Sequence, residues 1–129
     1  MKNESLLIEF NSLCERVRAE EDAYSENVVE AYEHLLHFLQ RHGSDEEFLS
    51  DQIVSIVKEF RYARNSEPTR LSIDAIAFCM HLLRWQDVLR AAKYEHDEYF
   101  AKRCDTAMDR LIASFDDNWD EASDYRFYR

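Results

Sequence analysis

Residues 73–85 read Ile-Asp-Ala-Ile-Ala-Phe-Cys-Met-His-Leu-Leu-Arg-Trp. Ile73, Ile76, Ala77, Met80, Leu83 and Trp85 wind around more than one face of a helix. A helix that is apolar on several sides has neighbours on several sides. The stretch therefore predicts a central helix over about residues 70–90 of an all-α domain.

The same period extends outward in both directions. Leu6, Leu7, Phe10, Leu13, Cys14 and Val17 predict a first helix over about residues 3–21. Val28, Tyr32, Leu35, Leu36 and Leu39 form the stripe of a second, with Ser25 placed as its N-cap. Gly43 falls where a helix is closed by a residue in the left-handed region. Ser44-Asp-Glu-Glu47 has the spacing of a capping box and predicts the start of a third helix, buried through Leu49, Ile53, Ile56, Val57 and Phe60. Residues 62–70 hold the only proline and read as the main loop. A fifth helix is predicted over about residues 94–115, with Phe100, Cys104, Ala107, Met108, Leu111, Ile112 and Phe115 turned inward. Residues 116–129 remain as an acidic, aromatic tail. The expected architecture is a single domain, 1–129, of about five antiparallel helices. They form either a HEAT-like stack of helical hairpins or a closed bundle. The pairs repeat at roughly 45 residues, near the length of a HEAT unit.

Composition narrows the function. The chain carries a formal net charge of −11 and contains one glycine. Phosphate loops, dinucleotide fingerprints and serine-hydrolase elbows all need more glycines than that. Nucleic acid and anionic membrane are disfavoured as ligands, because both require a basic patch. An acidic helical surface suits a basic protein partner. Met1–Ser5 followed by Leu6-Leu-Ile8 lacks the long apolar region of a secretory leader. Cys14, Cys79 and Cys104 have no metal-type spacing and read as reduced thiols. The expected compartment is the cytoplasm.

Within residues 72–128, Leu83-Arg-Trp-Gln-Asp-Val-Leu-Arg90, Cys104-Asp-Thr-Ala-Met-Asp-Arg-Leu-Ile112 and Phe115-Asp-Asp-Asn-Trp-Asp-Glu121 stand out. This part of the chain resembles HEAT-like all-helical bacterial toxin-immunity proteins. The resemblance implies a protein–protein binder without catalytic residues.

Acid clusters mark the candidate interface. Asp116, Asp117, Asp120, Glu121 and Asp124 interleave with Trp119 and Tyr125 in the tail, and Glu95, Asp97 and Glu98 precede it. Aromatic rings among carboxylates fit an interface with a basic partner. Glu20-Glu-Asp22 is a further candidate, whereas Asp45-Glu-Glu47 reads as helix-start chemistry. No glutamate stands three residues before His34, His37, His42, His81 or His96, so a di-iron bundle site is excluded. No zinc set is complete, and no metal or cofactor is expected. Cys79 and His81 lie too close together in an apolar helix for a nucleophile–base pair.

The expected function is that of a cytoplasmic immunity protein occluding a basic toxin, a nuclease above all. One alternative is a phage-type inhibitor or nucleic-acid mimic that blocks a nucleic-acid-binding protein. A further one is a HEPN-like ribonuclease, suggested by the Arg-x5-His spacing of Arg90 and His96.

Overall fold

A computed structural model describes residues 2–63 and 69–128. Among them there are six α-helices: α1 (Lys2–Asp22), α2 (Val28–Arg41), α3 (Glu46–Glu59), α4 (Ile73–Leu83), α5 (Gln86–Glu95) and α6 (Ala107–Ala113). No strand occurs among the described residues. The all-α expectation holds. Most of the expected 62–70 loop, residues 64–68, lies outside the described residues.

α1 packs on α2, α2 on α4 and α4 on α6, while α3 packs on α5 and α5 on α6. The helix predicted to be central is central. Seven residues of α4, Ile73 and Ala75 through Met80, are buried. They join one core with Phe10 of α1, Leu35, Phe38 and Leu39 of α2, and Ile53 and Ile56 of α3. Each large apolar side chain removed from water there contributes about 1.5–3 kcal/mol.

The helix count differs from the expected five, and the reason lies in how the helices end. The pattern over 70–90 is two helices. Arg84 takes the left-handed conformation at φ 54°, and its N–H bonds the Met80 carbonyl at 2.9 Å, closing α4. Trp85 is then extended and starts α5. The predicted 94–115 helix is also broken. α5 runs into a π-turn at His96–Phe100 and a 3₁₀ turn at Ala101–Arg103, and α6 begins only at Ala107. Cys104, at φ 56°, ends this run. Its N–H bonds Ala101 O and the next N–H bonds Phe100 O, the two bonds of a Schellman motif. Tyr24, at φ 50°, ends α1 in the same way through Tyr24 N–H to Glu21 O and Ser25 N–H to Glu20 O. The position usually given to glycine is thus filled by tyrosine and cysteine in these two motifs, and by arginine after α4.

Gly43 does none of this. It has no positive φ, and it opens a 3₁₀ turn over Gly43–Asp45. The capping box at Ser44 does not form either, because that turn moves the N-cap of α3 to Asp45, whose carboxylate pairs with Lys2 at 3.1 Å. Ser25 is not the N-cap of α2. Its Oγ accepts from the N–H of Asn27, the residue that precedes the helix. An unforeseen cap appears at Ser72, whose Oγ accepts from Ala75 N–H at 3.1 Å and donates to Glu21.

Cys104 is a correction of its own. It is exposed in its turn, not packed inward, while Cys14 and Cys79 are buried. Burial pushes the Cys14 thiol up to about 12 and raises that of Cys79 as well. A disulfide-exchange reagent on the native protein is expected to label Cys104 alone, with Cys14 and Cys79 reacting only after denaturation. Labelling of Cys14 in the native state would show that the α1–α4 core opens.

Candidate protein-binding surface

The tail is built by short-range geometry. Asp116 Oδ1 accepts from Asn118 N–H at 2.8 Å, and Trp119 N–H bonds Asp116 O at 3.2 Å. This turn swings Trp119 back onto the domain, where it is 6% exposed. Its ring lies 5.0 Å from His81 and stacks on Tyr125 at 6.0 Å. Two further 3₁₀ turns, Asp120–Asp124 and Arg126–Tyr128, complete the segment. Tyr125, Phe127 and Tyr128 surround Phe78 at 5.0, 6.0 and 5.2 Å, and Tyr32 of α2 joins the cluster at 5.5 Å from Phe78. Tyr128 donates its hydroxyl proton to the Phe78 carbonyl, and Arg126 pairs with Glu33 at 3.2 Å. Burial, reinforced by the Asp74 charge, pushes the Tyr125 hydroxyl up to about 12.

Trp119 and Tyr125 were expected as contacts for a partner. They are instead anchors of the tail, since an exposed ring gains nothing from water and the core offers it a place. Glu95 also departs from expectation. It is 0% exposed, and both carboxylate oxygens face the Arg61 guanidinium, with Nε donating at 2.9 Å. Arg61 Nη1 donates to the Tyr99 hydroxyl at 2.9 Å, and the guanidinium sits 4.0 Å over that ring. The π-turn after Glu95 carries Tyr99 to the same arginine as Glu95. Buried and fully engaged, Glu95 is not a surface contact.

The remaining acids lie at the surface in two conditions. Asp117 pairs with Arg84 at 2.9 Å, Glu98 with Lys102 at 3.8 Å and Asp97 with His96 at 2.9 Å. His96 also meets Asp109 at 3.1 Å, and the Asp97 hydrogen bond, helped by the Asp109 charge, raises its pKa above the ordinary histidine value. Arg90 is held by Asp87, so it and His96 have separate partners and form no common pair. By contrast, Asp120, Glu121 and Asp124 have no ion pair among the described residues. No group of three His, Cys, Asp or Glu side chains among the described residues is arranged to hold a metal. No described helix is long and apolar enough to cross a membrane.

Two hollows join these acids into a strip. One, of about 340 Å³, is lined by Asp109, Asp116, Asp120 and Glu121 around the edge of Trp119. The second, of about 370 Å³, brings Asp124 together with Glu26 and Glu30 from the start of α2. The arginines at these hollows, Arg110 and Arg126, are drawn away by Asp74 and Glu33. The strip therefore runs from α6 across the tail to the α1–α2 turn. There Tyr24, 95% exposed, stands between Asp22 and Glu26. Sequence reasoning had named Glu20–Asp22 but missed Tyr24. The available signal was an aromatic residue in a turn flanked on both sides by acids.

No family model matches this chain, and neither the curated proteins nor the solved structures contain a match to it.

The surface is thus defined by its own chemistry. Its carboxylates are at the rim of shallow hollows; Asp109 meets His96 and Glu30 meets Arg16, whereas Asp116, Asp120, Glu121, Asp124 and Glu26 have no ion pair among the described residues. Such a surface attracts cations over about a Debye length, roughly 8 Å at physiological salt. It can receive lysine and arginine side chains between paired carboxylates.

Proposed function

We propose that this chain is an immunity-type inhibitor of the cytoplasm that captures a basic toxin, a nuclease in the first instance, and covers the surface with which it holds phosphates. The observation that carries this reading is the division of charge. The arginines nearest the strip are engaged within the fold, whereas Asp120, Glu121, Asp124 and Glu26 have no ion-pair partner among the described residues. The resulting field speeds capture of a basic protein, and the pairs then formed slow its release. Tyr24 is the one fully presented ring on the strip, in the manner of an interface anchor.

Tyr24 also separates binding from stability. A tyrosine in the left-handed region costs about 1 kcal/mol relative to glycine. Tyr24→Gly is therefore expected to raise the midpoint of urea unfolding while weakening capture of the partner. A rise in stability with unchanged affinity would remove Tyr24 from the interface.

The function itself is tested by coexpression with the basic toxin domain that this reading expects to be encoded beside the chain. Wild type should restore growth and co-purify with the toxin. Asp120→Lys/Asp124→Lys should remain helical and lose both effects. Equal protection by the two forms, or a neighbouring product that is neither basic nor bound, would overturn the reading.

A further inference from the structure

Most described cations are engaged by a carboxylate of the same fold, from Lys2 with Asp45 to Arg126 with Glu33. Lys58, Lys93 and Arg103 differ. None has an ion-pair partner among the described residues. They gather at one end of the α3–α5 pair. Lys58 is in the last turn of α3 and Lys93 in the last turn of α5. Arg103 ends the 3₁₀ turn beyond the π-turn, and its Nη2 donates to the Arg61 carbonyl at 3.2 Å.

Tyrosines crowd the same end. Tyr62 is 69% exposed and lies 5.6 Å from the Arg61 guanidinium. Tyr94 is 54% exposed and meets Tyr99 at 6.4 Å. Cations near helix C-termini complement the macrodipole, which accounts for the lysines. It does not account for two open tyrosines beside them.

We propose that this lysine–arginine–tyrosine face docks the acidic strip of a second copy of the chain. The two surfaces are complementary in charge. Lys58, Lys93 and Arg103 on one, and Asp120, Glu121, Asp124 and Glu26 on the other, have no ion-pair partner among the described residues. Each side also carries exposed tyrosine. The contact joins two different patches, so it does not close as a two-fold dimer, and mass should grow beyond two copies. The net charge of −11 opposes approach at long range, which makes the association weak and dependent on concentration.

Self-docking stands apart from the proposed capture of a toxin, although both use the strip. A basic partner would therefore compete with self-association.

Sedimentation velocity at physiological salt, from micromolar to millimolar protein, tests the proposal. The wild type should show a weight-average mass that rises with concentration. Lys58→Glu/Lys93→Glu and Asp120→Lys/Asp124→Lys should each stay monomeric, with unchanged circular dichroism. Mixed in equal amounts, they should associate again, because the first retains its strip, the second retains its basic face, and the two reversed patches are themselves opposite in charge. A wild type that stays monomeric, a basic-face variant that still associates, or a mixture that does not pair would each overturn the proposal. Toxin protection by Lys58→Glu/Lys93→Glu should be intact, so failure here leaves the proposed function standing.

Discussion

Trp119→Ala is expected to destabilise the protein by about 3–5 kcal/mol, the cost of emptying a large buried aromatic site. The ring is in contact with His81 of α4 and with Tyr125 and Tyr128 of the tail. Its loss therefore loosens Tyr128 from Phe78 as well as leaving a cavity. A domain of this size has about 5–15 kcal/mol in all, so the variant should sit near its unfolding threshold. Asp120→Ala, one residue on and exposed, should stay within about 0.5 kcal/mol of wild type. Urea titrations followed by far-ultraviolet circular dichroism compare the two directly. If Trp119→Ala kept the wild-type midpoint, the inward placement of the tail would be wrong.

The second large effect is expected at Glu95. Glu95→Gln leaves Arg61 facing a neutral amide in a place that excludes water from the carboxylate side. Breaking one partner of such a pair costs about 3 kcal/mol, the lower end of the range because the arginine is only partly covered. Arg61→Met/Glu95→Met should recover most of that loss, since an apolar pair removes the unpaired charge together with its partner. A double-mutant cycle measures the difference. Equal destabilisation by Glu95→Gln and the double variant would mean that packing of Tyr99 on Arg61, not the ion pair, holds the ends of α3 and α5 together.

These two residues also show where the sequence was readable. The stripes of α1, α2, α3 and α4 could be read because long helices repeat their burial several times, and each repeat confirms the period. The breaks could not. Arg84 and Cys104 end helices in a conformation that normally announces itself with glycine, and nothing in either side chain signals it. Glu95 looked like a neighbour of the exposed Asp97 and Glu98. Only a partner at Arg61, distant in sequence, sets it apart. The rings of the tail read as interface residues because they stand among acids, and 3₁₀ turns of three and five residues give no period that would show them folding back. The surface acids Asp120, Glu121 and Asp124 were legible as charge, whereas their lack of an ion pair among the described residues was not.

The docking of the tail has a kinetic side. Most contacts of the helices are with neighbours close in sequence, and such contacts form quickly. Arg126 with Glu33 and Tyr128 with Phe78 instead close spans of 93 and 50 residues. Closing long spans is entropically costly, so these contacts should form after the barrier has been crossed. Substitutions at Trp119, Tyr125 or Tyr128 should then accelerate unfolding and leave the refolding limb of the chevron nearly unchanged. The aromatic clasp around Phe78 would thus determine how long the folded protein lasts, while the helices determine how fast it forms.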